Sequence, residues 1–522
     1  METTGTSAAS VQILDRHSEL YLLRRDVPVL VQAGDYPRAC HRIVQTMPKL
    51  YTDRYGYSDL LAMPNQELRL GFRNESDHVT LLDSLFSTVR EHQRSVLRFM
   101  QKEMPHYRAG LNLLALHLFD SGDLIQALEV ARASFQGKQN CVFTESVVER
   151  IVKRLRDEGK LGETQLSDTE QTMLKSFERF LCPKAFSNFE VYRTGEVFVC
   201  CGSLVPASIG NVFEQDFGSI WNSERAQEIR RSIHDGSYRY CSRTCPNLRA
   251  DTLPTRSGIE VLPEAASRDA RIAKRQLVVL DDGPEYVNLA NDYTCNLSCP
   301  SCRRGMRSAD SKRREVLDQV YERGIRPLLD HVRILQIAGD GDPFASKHYR
   351  QILAALSREK YPKLKLRLLT NGVLLDQEEW LQFSNIHPLL DQISISIDAA
   401  TAETYAVVRR GGDWDRLMAN LEHLAERRRD GAFPFFNLNF VVQQRNFREM
   451  PQFVELGRKL SVDQVIFVAV HNQTEAFTGT EFRCADVTDP SHSEFEEFQA
   501  MLHHPLLRDP IVRFGFPLPK TH

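Results

Sequence analysis

Three cysteines stand at a spacing that can hold an inorganic cluster. They lie in Tyr293-Thr294-Cys295-Asn296-Leu297-Ser298-Cys299-Pro300-Ser301-Cys302, a CxxxCxxC run at the end of a predicted strand. Three thiolates hold three irons of a four-iron, four-sulfur cluster and leave the fourth iron open to a second molecule. A second group of thiols lies upstream at Cys182, Cys200, Cys201, Cys241 and Cys245. The run Phe189 to Tyr192, the turn at Thr194-Gly195 and the run Val197 to Val199 predict a β-hairpin with cysteines at its ends. A helix from about Trp221 to Ile233 separates this hairpin from Cys241-Ser242-Arg243-Thr244-Cys245. Zinc is one reading of such a group, but its usual pairs are CxxC knuckles. One CxxxC pair plus single cysteines favours an iron–sulfur cluster.

The elements that must position these residues are read from the rest of the chain. Its 522 residues leave room for roughly two to four domains. Hydrophobic residues make up 42% and charged residues 26%, a soluble globular profile. The net charge of −3 argues against a nucleic-acid or anionic-membrane partner. No stretch reaches the apolar length of a membrane span. Met1 to Ser7 is polar and lacks the layout of a secretory signal, so the protein is expected in the cytoplasm. Eleven cysteines, odd in number and clustered, read there as metal ligation rather than disulfides.

Residues 1–165 predict an all-helical domain. Leu111, Leu114 and Leu118 recur at helical spacing, as do Ile125, Leu128 and neighbouring Val130. Gly34-Asp35-Tyr36-Pro37-Arg38-Ala39 and Gly122-Asp123-Leu124-Ile125-Gln126-Ala127 look alike, each a Gly-Asp turn with Ala five residues after the glycine. They loosely resemble part of a tetratricopeptide repeat. A plain helical domain is the other reading, with Cys40 and Cys141 as ordinary core residues. The cysteine-rich module follows over 178–250, and a linker with dispersed charge over 251–284.

From Glu285 to about 475, strands and helices alternate. The strands are read at Tyr286–Ala290, Val332–Ala338, Leu364–Thr370, Gln392–Asp398, Phe435–Gln443 and Gln464–Val470, with one continuous helix over Ala402–Arg427. Six such units predict parallel pairing with right-handed crossovers and a partial (β/α)6 barrel. By analogy with full barrels, the site lies at the carboxyl ends of the strands. There the second strand delivers Gly339-Asp340-Gly341-Asp342-Pro343, where glycines let backbone approach a ligand and carboxylates accept from an ammonium group. Alternation puts Ser394, Ser396 and Asp398 on one face of the fourth strand, and Asn437, Asn439 and Gln443 on one face of the fifth. Asn371-Gly372 is a good βα turn. Arg409, before Arg410-Gly411-Gly412, offers a partner for a carboxylate.

From Glu285 to Val470 these motifs resemble the radical S-adenosylmethionine (SAM) superfamily. The resemblance implies a TIM-like barrel in an α/β chain, with a 4Fe–4S cluster whose open iron takes SAM. It implies reductive cleavage of SAM to a 5′-deoxyadenosyl radical, which takes a hydrogen atom from a substrate. Gly339, Asp340, Gly341 and Asp342 match the family's turn for the SAM amino group, with Asp342 where Glu is commoner. Ser394 or Ser396 matches its ribose contact and Arg409 its carboxylate contact. Ser301 departs from the family, which often carries an aromatic residue there near adenine; Tyr293 is the substitute. The upstream cysteines, with Gly195, Gly210-Asn211-Val212 and Ile220-Trp221-Asn222-Ser223, resemble the SPASM/Twitch module, here ahead of the barrel rather than after it. That resemblance implies an auxiliary 4Fe–4S cluster. Its expected ligands are Cys182, Cys200, Cys241 and Cys245, with Cys201 as a substitute or a packing residue.

The tail over 476–522 reads as irregular chain with a short helix near Phe495–Leu502, and Cys484 in it is a candidate hydrogen donor to a substrate radical. The expected partners are SAM, an external electron donor such as flavodoxin or ferredoxin, and a peptide, protein or sugar substrate that is oxidised, epimerised or otherwise modified. The alternative is an iron–sulfur scaffold or sensor that recruits a partner through its helical domain.

Overall fold

The structure is a computed structural model. It describes residues 25–51, 85–86, 89–103, 108–134, 142–202, 204–205, 207–243, 245–249, 252–470, 477 and 479–516. The chain divides into two compact units, one of residues 1–181, 202–207 and 232–259, the other of residues 182–201, 208–231 and 260–522.

The first unit is built on helices Tyr36–Tyr51, Arg90–Glu103, Arg108–Asp120, Leu124–Ser134 and Val142–Asp157. The two look-alike segments adopt the same geometry. Gly34 and Gly122 both take positive φ. The N–H of Asp35 donates to Leu30 O and that of Asp123 to Leu118 O, each at 2.9 Å. The glycine N–H groups close the inner bond, to Val31 O and Phe119 O. Both are Schellman caps, which need a residue free to turn left-handed. Gly159, which the sequence pattern did not single out, caps a third helix in the same way through Lys160 N–H to Leu155 O. Ala39 and Ala127 are fully buried, so a larger side chain at either would have to displace a neighbouring helix. Cys40 sits in this apolar core. Cys141 lies outside the described residues.

The second unit is one ten-stranded sheet: β1 (Asn188–Tyr192), β2 (Glu196–Phe198), β3 (Gly210–Asn211), β4 (Tyr286–Ala290), β5 (Ile334–Ile337), β6 (Lys365–Thr370), β7 (Leu390–Ser396), β8 (Phe435–Val442), β9 (Gln464–Ala469) and β10 (Val512–Phe514). Its order is β10-β9-β8-β7-β6-β5-β4-β1-β2-β3. The run β4 to β9 is parallel throughout, as the six strand–helix units predict, and forms a partial TIM-like barrel. The apolar face lies under the helices. Ile393, Ile395, Phe436 and Phe440 are fully buried, and Phe440 packs on Phe453 of helix Met450–Lys459 with ring centroids 4.8 Å apart. The other face is polar and concave.

Both margins of this six-strand set are covered. β1, the first strand of the cysteine hairpin, pairs in parallel with β4 from Asn188↔Tyr286 to Tyr192↔Ala290. At the far side β10, from a tail read as irregular, pairs in parallel with β9. An unpaired strand margin exposes a row of N–H and C=O groups, and these additions satisfy them. A three-residue strand is too short to show a period, which is why β10 escaped the pattern.

The helix expected over 402–427 is two helices, Ala402–Val408 and Trp414–Arg429. Gly411 takes φ +89° between them, and a Cβ on Gly412 would lie 2.5 Å from the Tyr405 hydroxyl. This break lets Arg409 and Arg410 leave the helical path. The linker carries two short helices, Arg256–Glu260 and Arg268–Arg275, and the tail carries Gly479–Ala485 and Phe495–Met501. Among the described residues no helix is long and apolar enough to cross a membrane.

Candidate active site

The cysteine loop leaves β4 and is pinned from below. Asp292 accepts from Thr294 N–H at 3.0 Å and from the Thr294 hydroxyl at 2.8 Å, and its other oxygen accepts from Ser346. Asp292 N–H donates to the Tyr349 hydroxyl at 3.0 Å. Beyond this anchor, Cys295 N–H donates to Arg307 O at 3.1 Å, and Cys302 N–H donates to Cys299 O at 2.9 Å. The loop therefore folds back on itself with its three sulfurs fixed by backbone bonds.

Each sulfur also takes an N–H. Cys295 Sγ accepts from Leu297 N–H at 3.5 Å and from Asn371 Nδ2 at 3.8 Å. Cys299 Sγ accepts from Arg409 at 3.9 Å and Cys302 Sγ from Arg303 at 3.3 Å. Burial pushes the Cys295 thiol up to about 11 and raises that of Cys299 as well. Thiolates can be held in such a place only with positive charge beside them; Arg303 and Arg409 supply part of it, and bound iron would supply the rest. The donor set thus fits a cluster, and N–H···S bonds of this kind tune its potential.

The Gly-Asp-Gly-Asp-Pro turn packs directly on this loop. Asp342 N–H donates to Thr294 O at 2.8 Å. A Cβ on Gly341, which has φ +75°, would lie 2.4 Å from Asp292 O, and one on Gly339 would lie 2.9 Å from the Ala290 Cβ. The glycines are required by the approach of the turn to β4 and the cysteine loop. Asp342 is fully buried and accepts from the Thr370 hydroxyl at 2.7 Å and from the N–H groups of Asn371 and Phe344 at 2.9 and 3.0 Å. Burial raises its carboxyl above the usual range against these donors. It ties the turn to the end of β6 and so aims Asn371 at Cys295. Asp340 pairs with Arg303 at 3.3 Å and with Arg193 of the β1–β2 turn at 3.9 Å.

Arg409 forms an ion pair with Asp398 at 2.7 Å. Asp398, two residues beyond β7, is in the left-handed region, φ +62°, and its other oxygen accepts from Val441 N–H at 2.7 Å. Arg409 Nε is buried with no partner among the described residues. A buried guanidinium N–H without an acceptor, beside the Cys299 sulfur, suits a carboxylate-bearing ligand. The cradle therefore also fits the SAM carboxylate.

On the concave face, the Ser394 hydroxyl donates to Asn437 Oδ1 at 2.7 Å, Gln392 donates to both, and Asn437 donates to Asn439 at 3.1 Å. Ser396 stands opposite Asn439 in register. Tyr293 offers its carbonyl to Arg303 at 2.6 Å, and its ring lies under the Arg313 guanidinium, 5.9 Å from centroid. Cys484 is exposed on helix Gly479–Ala485.

The upstream thiols fall in both units. Cys182, Cys200 and Cys201 belong to the sheet unit, Cys241 and Cys245 to the helical one. Burial pushes the Cys200 thiol up to about 12, and the charges of Cys182 and Cys201 push the same way. In the helical unit, Glu145 of helix Val142–Asp157 accepts from the Ser242 hydroxyl at 2.7 Å and from Arg243 N–H at 2.6 Å. Glu149 pairs with the Arg243 guanidinium at 3.0 Å. The loop between Cys241 and Cys245 is thus gripped by two carboxylates of one helix, Val142–Asp157.

Arg303, Arg193 and Glu145 were not singled out from the sequence. Arg303 follows the third cysteine directly, so its position held a signal. Glu145 lies 97 residues from Ser242 and Arg193 further still from Asp340, and neither held a signal, since only the fold brings them to their partners.

The radical SAM superfamily profile matches residues 293–456, and that of the SPASM iron–sulfur cluster-binding domain matches residues 182–246. A probable GTP 3′,8-cyclase of Saccharolobus islandicus is 24% identical over 36% of this chain and 57% of its own length. One from Methanocaldococcus jannaschii is 22% identical over 35% and 59%. The chain therefore spans little more than half the length of the curated relatives it matches. Among solved structures, Streptococcus suis SuiB bound to precursor peptide SuiA shares 16% identity over 58% of this chain and 65% of that chain, with a TM-score of 0.29. The two matched domains carry a 4Fe–4S cluster with SAM and an auxiliary iron–sulfur cluster. Residues 293–456 thus match the radical SAM superfamily, and a SPASM iron–sulfur cluster-binding domain match over residues 182–246 stands ahead of them.

Proposed function

We propose that this protein cleaves SAM reductively at a cluster held by Cys295, Cys299 and Cys302 and uses the product to abstract a hydrogen atom from a substrate. The observation that carries this reading is Arg409, which donates to Cys299 Sγ and keeps a buried Nε without a partner among the described residues. When bound, the reduced cluster would pass one electron to SAM, which would split into methionine and a 5′-deoxyadenosyl radical.

The remaining work falls to side chains. Arg409, steadied by Asp398, holds the SAM carboxylate. The turn from Gly339 to Asp342 lines the side of the loop where the ammonium group sits. Asp342 acts there through Asn371 and Thr370, and Asp340 reaches the site while paired to Arg303. Ser394 or Ser396 of β7 would hold the ribose, and Tyr293 would pack on adenine in place of the aromatic residue that Ser301 replaces. The network of Gln392, Ser394, Asn437 and Asn439 supports a substrate rich in hydroxyl or amide groups, a peptide or a sugar. Cys182, Cys200, Cys241 and Cys245 are the proposed ligands of the auxiliary cluster. Cys484, exposed beyond the last barrel strand, is the candidate donor of a returning hydrogen atom. The organisation we propose is a helical domain over 1–165, a cluster module over 178–250, a linker over 251–284, a barrel over 285–475 and a tail over 476–522.

The test is anaerobic reconstitution followed by reduction with dithionite in the presence of SAM. The enzyme yields 5′-deoxyadenosine. A protein that holds its clusters and binds SAM but never yields it would instead be a scaffold or sensor.

A further inference from the structure

Arg193, in the β1–β2 turn of the cysteine hairpin, is joined to Tyr293 of the cysteine loop by two separate routes. The first runs through its backbone. Arg193 O accepts from Arg313 Nη2 at 2.6 Å, and the same nitrogen donates to Asn291 O at 2.9 Å. The Arg313 guanidinium lies 4.9 Å from the centroid of the Phe213 ring and 5.9 Å from that of Tyr293. The second route runs through the Arg193 side chain. It pairs with Asp340 at 3.9 Å, Asp340 pairs with Arg303 at 3.3 Å, and Arg303 Nη1 donates to Tyr293 O at 2.6 Å. One turn residue thus bears on both the ring and the carbonyl of Tyr293.

The turn and Arg313 are themselves fixed. Arg313 leaves the first turn of helix Ser311–Val320, where its N–H donates to the Asp310 side chain at 2.7 Å. Its guanidinium takes no carboxylate among the described residues; carbonyls and rings surround it instead. In the hairpin turn, Asn211 Nδ2 donates to Thr194 O at 3.0 Å. A Cβ on Gly195, φ +80°, would lie 2.4 Å from Asn211 Oδ1 and 2.5 Å from the Phe213 ring, so the turn has little room to move. A cation beside an aromatic ring is held most firmly where water is excluded, as it is for this half-buried arginine.

We propose that Arg193 and Arg313 are positioning residues that set Tyr293 against the adenine of SAM, so that the cysteine hairpin contributes to the barrel's affinity for SAM. The proposal rests on the reading of Cys295, Cys299 and Cys302 as ligands of the SAM-binding cluster and of Tyr293 as the adenine contact. Stacking on a base needs the tyrosine ring in one plane. Fixing that plane before SAM arrives lowers the cost of binding. By linkage, bound SAM steadies the hairpin turn in return.

The test uses the full chain, reconstituted anaerobically, with SAM as the probe. Binding is measured by calorimetry on variants brought to equal iron content. Arg313→Ala is expected to weaken SAM binding roughly tenfold, in line with the loss of charged hydrogen bonds and a ring contact. Arg313→Lys is expected to recover part of this. Phe213→Leu, a milder change within the hairpin module, is expected to weaken binding roughly threefold. Lys312→Ala, exposed and one residue away, is expected to bind as wild type. Adding Arg313→Ala to Tyr293→Ala is expected to cost nothing more, because the arginine acts through the tyrosine. In turnover the loss is expected in the KM for SAM rather than in kcat. Hydrogen exchange of the amides at 192–196 is expected to slow when SAM binds the wild type and not when it binds Arg313→Ala. Wild-type SAM binding in both Arg313→Ala and Phe213→Leu would overturn the proposal, as would an equal loss in Lys312→Ala or full additivity with Tyr293→Ala. Wild-type binding in Tyr293→Ala would overturn the adenine contact and the proposal together. Absence of 5′-deoxyadenosine from the wild type counts against SAM cleavage alone, since the binding measurements decide the positioning role without it.

Discussion

Arg303 donates to the Sγ of Cys302 across 3.3 Å while its guanidinium also pairs with Asp340 at the same distance. The residue that follows the last cysteine thus joins the cysteine loop to the Gly-Asp-Gly-Asp-Pro turn. Arg193 meets Asp340 from the β1–β2 turn of the cluster module. A positive charge and an N–H···S bond both stabilise the reduced, more negative cluster. Arg303→Gln is expected to lower the cluster's midpoint potential, read by an EPR-monitored redox titration, and to reduce SAM cleavage roughly 10- to 100-fold. Arg303→Lys is expected to recover part of the potential. An unchanged potential in Arg303→Gln would make the arginine a structural tie only.

Asp398 is buried and pairs with the half-buried Arg409, and removing one partner strands the other. Asp398→Ala is expected to destabilise the sheet unit by about 3–5 kcal/mol, measured by denaturant unfolding. Arg409→Lys keeps a positive charge but loses the fork. It is expected to raise the KM for SAM about tenfold or more, with a smaller effect on stability.

Iron content is expected to separate the two proposed groups of cysteine ligands. Cys295→Ala is expected to remove the first cluster and abolish 5′-deoxyadenosine formation. Cys182→Ala is expected to retain that cluster while lowering total iron and sulfide. Equal losses in the two variants would contradict independent sites.

His348 is buried beneath the cysteine loop, where Asn291 Nδ2 meets its Nε2 at 3.0 Å. Burial, aided by Arg313 and opposed by Asp292, lowers its pKa from 6.5 to about 4. A depressed histidine contributes stability that is present above pH 6.5 and is lost as pH falls toward 4. Loss on the order of 3 kcal/mol is expected across that window. His348→Gln is expected to flatten the slope, checked by urea unfolding at several pH values.

Glu145 satisfies two donors of the Cys241–Cys245 loop at once. Glu145→Ala leaves the Ser242 hydroxyl and Arg243 N–H without their acceptor, at a cost of about 1–3 kcal/mol for each donor left buried. Auxiliary iron is expected to fall with it, and Glu145→Gln, which keeps one acceptor, is expected to restore part. Iron counting and thermal unfolding check this together.

The sequence by itself determined the elements whose signal is local. The CxxxCxxC spacing, the alternation of strands and helices after Glu285 and the Gly-Asp helix ends are set by neighbours a few residues apart, and each appears where the pattern places it. Alternation also put Ser394 and Asn437 on polar faces, which the sheet register then brought together. Only the tertiary structure decided what each polar group meets. It gave Asp340 to Arg303, buried Asp342 against Thr370, and broke one helix into two so that Arg409 reaches Cys299. It also drew β1 of the cluster module into the barrel's own sheet through pairing with β4, about 100 residues later in the chain. Such pairings rest on strand margins and buried charges that must find partners, and a partner's distance along the chain leaves no mark in local spacing.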